Sequence, residues 1–356
     1  MSQGVPDTSI RFSIAPPNQI IQNGRRRYDL DGFVQESAAA SAAGFHCVYT
    51  GERRSSGATS YSHNPMLLSA YGLGQVEGIM FSAGLVVLPL HHPVEVVQDA
   101  TMLAVLHPGR FRLCVGAGYM EGDFQIMGVD HGQRAARMEQ GLQAINAYLD
   151  GREVLLDGPY RGRTPVRDEA VADVELEVFA GAWSPGGVRR AARYADGWIT
   201  GPIRNIHWLA DLAQMYREEC ERVGKEPRIV MLREAWLGDS DQAAIETYGE
   251  YVLGYHRVYM ERGNSYHPKY EPWFADLSSP ADLTVEHVLT DRVLCGSLEH
   301  WLETLPKWIE LVGPEEIILR LRHFPGPTLE ETLESIERIG AEVVPRFSGY
   351  AGDPGF

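Results

Sequence analysis

Cysteine is scarce in this chain, basic residues are outnumbered, and apolar runs are short. Cys47, Cys114, Cys220 and Cys295 stand far apart, without a CxxC pair or other metal-ligand spacing. That argues against a disulfide framework and against zinc, and leaves buried reduced thiols. With 32 Lys and Arg against 48 Asp and Glu, the net charge of −16 repels phosphate backbones and anionic lipid. No nucleic-acid or membrane partner is expected. The longest apolar run, IMFSAGLVVLPL at 79 to 90, carries a proline and is too short to span a bilayer. The opening MSQGVPDTSIRF lacks a basic stretch followed by an apolar one, so a soluble cytoplasmic protein is expected. No G-x-S-x-G elbow is present, which weakens hydrolase readings.

What is present is an alternation of short β-rich runs with longer helical stretches. Strands are expected at 11 to 16, 46 to 52, 79 to 89, 110 to 118, 175 to 183, 196 to 201, 228 to 237 and 315 to 324. Helices are expected at about 31 to 43, 65 to 73, 93 to 106, 133 to 150, 185 to 195, 205 to 223, 240 to 262 and 328 to 346, with one more at 297 to 312. Eight βα units with near-continuously apolar strands predict an α/β fold, a single (β/α)8 TIM barrel covering residues 1 to 356. Two stretches break the repeat. Residues 152 to 174, after helix four, read as a hairpin or surface loop. Residues 263 to 292, after helix seven, are Pro-rich and aromatic, either a lid or an insertion packed on the wall or at a dimer contact.

In such barrels the site lies at the carboxyl ends of the strands. Strand two ends in Glu52-Arg53-Arg54, strand three passes Gly84-Leu85, and strand four ends Gly116-Ala117-Gly118-Tyr119. Strand five ends Gly181-Ala182-Trp183-Ser184, strand seven offers Arg233, Glu234 and Trp236, and strand eight Arg320, Arg322 and His323. Gly-Ala-Gly at 116 to 118 removes side chains where the chain must turn or a flat ligand approach. It lacks the third glycine and the lysine of the nucleotide-binding fingerprints. Ser184-Pro185-Gly186-Gly187 opens a helix with a cap and free amides, suiting a phosphate or an ordinary N-cap. His91-His92-Pro93 reads as a helix start, with no metal site expected. His256 reads as a buried, satisfied histidine. Arg53 and Arg54 are anion hooks or surface charges.

These motifs together resemble the bacterial luciferase-like superfamily of flavin-dependent barrels. The segments that carry the resemblance are GLVVLPLHHPVEVVQDA, GRFRLCVGAGYMEGDFQIMGVD and RAARMEQ, between Gly84 and Glu139, and Ser184-Pro185 followed by RRAARYADGW. The resemblance implies that Gly116, Ala117, Gly118 and Tyr119 lie along a flavin. It also implies that the Gly84-Leu85 peptide is cis behind the ring, and that Ser184, Gly186 and Gly187 hold the flavin phosphate. The chain departs from the family where many members read Glu-His-His, because Arg53 stands in place of the catalytic histidine. A guanidinium is a poor base but can stabilise an anionic reduced flavin or a peroxide. The luciferase phosphate arginine falls on Ala117, which leaves the phosphate to Ser184, the helix amides or an arginine from elsewhere, such as Arg112 or Arg137. Its helix-seven tryptophan falls near His256, which would turn that histidine toward the pocket.

The function implied is a monooxygenase that takes reduced FMN as co-substrate from a transiently bound flavin reductase, uses O2 and oxygenates a small organic molecule. Arg53 and His256 would stand at the reactive face, Glu52 would orient Arg53, and Tyr119, Trp183, Trp236 and the 263 to 292 loop would shape the substrate pocket. The aromatic loop hints at a ring-bearing or otherwise sizeable apolar substrate. A deazaflavin-dependent hydride-transfer enzyme and a catalytically silent flavin binder are the alternatives. A homodimer is expected from the resemblance.

Overall fold

The computed structural model describes residues 9–55, 61–261 and 266–347. The first residues of the 263 to 292 insertion and both chain ends therefore lie outside the described residues. Eight parallel strands close on themselves: β1 (Arg11–Ile14), β2 (Cys47–Thr50), β3 (Met80–Val87), β4 (Phe111–Gly116), β5 (Val178–Gly181), β6 (Gly197–Ile199), β7 (Ile229–Leu237) and β8 (Glu316–Arg320). Neighbours pair in chain order from β1 to β7, except that β8 sits between β7 and β1. The helices between them are α1 (Leu30–Ala42), α2 (Pro65–Gln75), α3 (Pro93–Leu106), α4 (Arg134–Leu149), α5 (Pro185–Tyr194), α6 (Ile206–Val223), α7 (Asp241–Glu261) and α8 (Leu329–Glu342). The fold is the expected (β/α)8 barrel.

Local chemistry starts and stops these helices. The Asn64 carboxamide accepts from the amides of Met66 and Leu67, with Pro65 opening α2. Thr328 and Glu331 form a capping box on α8. That helix breaks at Val343, so the predicted 328 to 346 helix continues as a separate turn, Val344–Phe347. A further helix, Leu298–Val312, follows a short strand, Leu294–Gly296, that pairs with the end of β7.

The two-residue period of the strands separates two apolar layers. Phe111, Leu113 and Val115 face the helices, while Cys114 joins Cys47, Tyr49, Phe179, Ile199, Val230 and Ile318 inside the barrel. All four cysteines are free and buried. The barrel floor is polar. Buried Glu316 accepts from Ser13 Oγ at 2.6 Å, Tyr49 Oη at 2.8 Å and Arg112 Nη1 at 2.7 Å. Burial pushes this carboxyl up, but Arg112 and His46 outweigh it and hold it at about 2. Arg112 is thus committed to the floor and does not replace the phosphate arginine. Arg137 is also committed elsewhere, donating to the carbonyls of Pro89 and Pro159 at 2.7 and 3.1 Å.

Besides the strand Leu294–Gly296 and a short helix, Val285–Leu289, two further elements escaped the sequence reading. A hairpin, Gln19–Gln22 with Arg25–Tyr28, turns on Asn23 and Gly24, both at positive φ. Asn-Gly was its available signal. A short helix, Glu121–Met127, follows β4 and ends on left-handed Gly128. The 152 to 174 stretch contains the expected hairpin, Leu155–Asp157 with Arg161–Arg163.

Candidate functional site

A cavity of about 720 Å³ opens at the carboxyl ends of the strands, within the range of small-molecule sites. One wall is the Leu85 side chain, which rests on two glycines of neighbouring strands. A Cβ at Gly116 would lie 2.9 Å, and one at Gly181 2.5 Å, from Leu85 Cδ1. Both glycines are therefore needed for the wall to sit where it does. The Gly84-Leu85 peptide is cis, and the β3–β4 register shifts between Gly84 and Val86. Gly118 has a φ of +69°, and a Cβ there would lie 2.5 Å from Val87 Cγ1, so the turn out of β4 requires glycine. Gly84, Leu85, Gly116, Ala117, Gly118 and Tyr119 all line the cavity.

The cavity reaches the amino end of α5. Ser184 Oγ accepts from the Gly187 amide at 3.3 Å, and Pro185 fills the first helical position. Ser184 and Gly187 line the cavity, whereas Gly186 is exposed and does not. Arg134 from α4 and Arg190 from α5 line it as well. Arg190 Nε donates to Glu139 at 3.2 Å, and Arg134 Nη1 to the His131 carbonyl at 3.0 Å. A helix N-terminus with two guanidiniums and a hydroxyl is a donor set for a phosphate. The sequence reading missed these two arginines, although Arg134 opens the RAARMEQ block and Arg190 lies within RRAARYADGW.

The remaining wall is a chain of arginines and tyrosines. Arg53 Nη2 donates to Tyr119 Oη at 2.9 Å, which lies 2.5 Å from Tyr259 Oη, and Tyr255 Oη donates to Tyr259 Oη at 3.1 Å. Arg320 donates to Tyr255 Oη and Tyr61 Oη, each at 2.8 Å, and to Glu234 Oε1 at 3.0 Å. Trp183 packs on Tyr119 with ring centroids 4.9 Å apart. Burial pushes the hydroxyls of Tyr255 and Tyr259 well above their ordinary value, so both stay protonated. Burial opposes the charge on Arg53, yet Tyr119, Tyr259 and Asp123 raise its pKa above the usual value. Arg53 is therefore a permanent cation at the cavity.

Several expected roles need correction. Glu52 does not orient Arg53. Its buried carboxylate accepts from the Val87 amide and Arg54 Nε, each at 2.7 Å, and lies 2.9 Å from His91 Nε2. Arg53 is oriented by Tyr119, with Asp123 Oδ2 3.7 Å away, while Asp123 Oδ1 accepts from the amides of Arg54 and Ser55. His256 does not line the cavity. It is fully buried behind the wall, its Nδ1 2.9 Å from Tyr266 Oη, and burial together with Arg292 lowers its pKa to about 3. The histidine is buried as the sequence suggested, but it is only half satisfied, because its Nε2 has no hydrogen-bond partner among the described residues. Trp236 stacks on Tyr248 outside the cavity, and Arg233 turns outward over Trp308. Arg322 is buried against Glu36 and Asp29, and His323 against Glu234, so neither reaches the cavity.

None of the described residues of the 263 to 292 insertion lines the cavity. Buried Arg292 instead ties the insertion to the barrel, donating to Glu271 and to the Ile203 carbonyl. The substrate hint taken from its aromatics loses its basis. Tyr61, Tyr259, Arg204 and Thr200 line the cavity and were not anticipated.

Among the described residues, no helix is long and apolar enough to cross a membrane. The chain is 28% identical over 194 residues to 4-hydroxyprotoasukamycin monooxygenase of Streptomyces nodosus subsp. asukaensis, a match spanning 52% of each chain. It is 26% identical over 227 residues to the F420-dependent hydroxymycolic acid dehydrogenase of Mycobacterium tuberculosis, spanning 61% of this chain and 62% of the relative. Each match thus spans between half and two thirds of the relative's length. Its fold matches the oxygenating constituent of 3,6-diketocamphane monooxygenase from Pseudomonas putida, solved with FMN, at a TM-score of 0.75 and 18% identity, covering 95% of this chain and 99% of that one. Residues 10–312 match the model of the luciferase-like monooxygenases, and the chain belongs to that family.

Proposed function

We propose that the protein is the oxygenase of a two-component system, taking reduced FMN from a separate reductase and using O2 to oxygenate a small organic substrate. One oxygen atom enters the substrate and the other leaves as water, with reduced FMN as the electron donor. The observation that carries this reading is the cavity lining: a side-chain-poor wall topped by Leu85, leading to a phosphate-type donor set at the start of α5. The residues present fit the cofactor. Arg134, Arg190, Ser184 and Gly187 would hold its phosphate, and Leu85 with its flanking glycines would back the ring.

When bound, reduced FMN supplies the electrons that activate O2. The chain's own part is to bind it, keep water out with Tyr119, Tyr259 and Trp183, and present the Arg53 cation to developing negative charge. The alternative, a deazaflavin oxidoreductase, is favoured by the likeness to the F420-dependent dehydrogenase. It needs a base for the alcohol proton. Among the described lining residues the only carboxylate is Glu52, whose oxygens already accept from Val87, Arg54 and His91, and no histidine lines the cavity.

The test is an anaerobic titration of the purified protein with reduced FMN and, separately, with reduced deazaflavin, followed by admission of O2. The expected result is tight binding of reduced FMN and a reaction with O2 whose time course departs from that of free flavin. Binding of the deazaflavin alone, with free-flavin oxidation kinetics for FMN, refutes the proposal.

A further inference from the structure

A second cavity of about 240 Å³ adjoins the first, and Arg53 and Tyr61 line both. Its outer rim is the exposed hairpin, which contributes Arg26, Arg27 and Tyr28, facing His63. Its inner end is Arg53, 4% exposed. On a chain of net charge −16, no acidic residue lines this cavity among the described residues. Neither Arg26 nor Arg27 has a carboxylate partner among the described residues. Arg26 lies over the Phe324 ring at 4.6 Å, and Tyr28 Oη is 3.1 Å from His63 Nδ1.

Arg53 carries the argument further. Of its five N–H donors, one on Nη2 serves Tyr119; Nη1 is ion-paired with Asp123 Oδ2 at 3.7 Å, and buried Nε and Nη1 have no hydrogen-bond acceptor among the described residues. Buried guanidinium donors are normally satisfied. Arg204 and Arg233 keep such donors as well; Arg53 is set apart by lining both cavities, where an anionic ligand can accept from it. Resting on the oxygenase reading for the reaction itself, we propose that the substrate is a small organic carboxylate. It is drawn in past Arg26 and Arg27, and its acid group is held by the Nε–Nη1 edge of Arg53, which it shares with Asp123. The outer arginines steer it electrostatically, and the ring faces of Tyr28 and Tyr61 suit a compact, ring-bearing acid. Bound there, the anion would sit at the boundary with the main cavity, leaving its organic part directed to where reduced FMN would bind.

The test uses the cofactor-free protein and two probes of one shape, benzoate and its neutral isostere benzamide, followed by calorimetry and by tyrosine and tryptophan fluorescence. Benzoate is expected to bind and benzamide to bind at least tenfold more weakly. Arg53→Gln should weaken benzoate about tenfold to a hundredfold, the range of a charge-assisted hydrogen bond, and Arg53→Lys should restore part of it. Should Arg53→Gln fail to fold by circular dichroism, the lysine variant carries the comparison. The double variant Arg26→Gln/Arg27→Gln should slow benzoate association and flatten its salt dependence while leaving reduced FMN binding unchanged. Equal binding of the two probes, no benzoate binding at millimolar concentration, or no effect of either Arg53 variant overturns the proposal. Competition between benzoate and reduced FMN also overturns it, because the basic cavity would then be the cofactor's phosphate site. Benzoate discrimination without any FMN binding would instead leave the carboxylate site standing and remove the oxygenase reading.

Discussion

Replacing Arg190 by Met tests the phosphate end of the cavity most directly. The methionine keeps much of the side chain's apolar bulk, so α5 should keep its packing, while the cation beside Ser184 is lost. Glu139, at 3.2 Å, holds Arg190 in place and is left half-exposed, where water can solvate it. A charge-assisted hydrogen bond to phosphate is worth about 1.5–3 kcal/mol, or about tenfold to 150-fold in affinity. Ser184→Ala removes the hydroxyl from the phosphate donor set, a neutral hydrogen bond worth about 0.5–1.5 kcal/mol, or about twofold to tenfold in affinity. The assay is anaerobic fluorescence titration with reduced FMN and with reduced riboflavin, which lacks the phosphate. Both variants should weaken FMN by these factors and leave riboflavin unchanged. If riboflavin weakens as much as FMN, the substitutions act through the fold of the wall and the phosphate is bound elsewhere.

Other expectations follow from the same geometry. Glu316→Leu leaves buried Arg112 with Glu177, at 2.9 Å, as its remaining carboxylate partner and should cost about 1–3 kcal/mol by urea unfolding, whereas adding Arg112→Leu should recover part of the loss; a single variant as stable as the parent refutes the assignment. Gly118→Ala combines a φ of +69° with a 2.5 Å clash on Val87 and should lower stability by about 1–3 kcal/mol; an unchanged thermal midpoint would contradict it. Burial lowers His46 to about 4 and His256 to about 3, from 6.5 in each case. The unfolded chain therefore takes up these protons first, so the stability they contribute is complete above pH 6.5 and is lost as pH falls toward 4 and 3. Each histidine adds a slope of up to about 1.4 kcal/mol per pH unit, and His256→Gln, if folded, should remove its share from the profile measured by urea unfolding.

The eight strands were legible because each is a contiguous β-rich run between turn residues, and eight such runs joined by helical stretches admit few other closures. The glycine turn after β4 and the Ser-Pro start of α5 were legible because their chemistry is local: a left-handed turn needs Gly118, and a cap needs Ser184. Depth along a strand is not local. Arg112 and Arg320 both point into the barrel, yet one lies on its floor and the other at its mouth, and only strand register separates them. Arg233 sits beside Glu234 in sequence, and the two-residue alternation turns it to the opposite face. Glu52 was placed at the mouth correctly, but its partners come from Arg54, Val87 and His91, and its neighbour Arg53 is held by residues near position 120. The hairpin that frames the basic cavity was missed because RRRY has neither alternation nor an apolar face, and Asn23-Gly24 was its sole marker.

Strand β7 has a consequence for how this barrel can change over generations. Its first half pairs with β6 and β8 inside the closed sheet, and its last three residues pair instead with Leu294–Gly296. Everything between Gly238 and Val293, including α7 and the insertion, therefore leaves from and returns to a two-stranded seat outside the barrel. Residues gained or lost there do not disturb the register of the eight strands, and each doubling of loop length adds only about 0.6 kcal/mol of closure entropy. Tyr259, which lines the cavity, and Tyr255, hydrogen-bonded to it, ride on α7 within this seat. The part of the cavity wall that Tyr259 supplies can thus be replaced as a cassette while Leu85, the α5 terminus and the buried floor stay as they are.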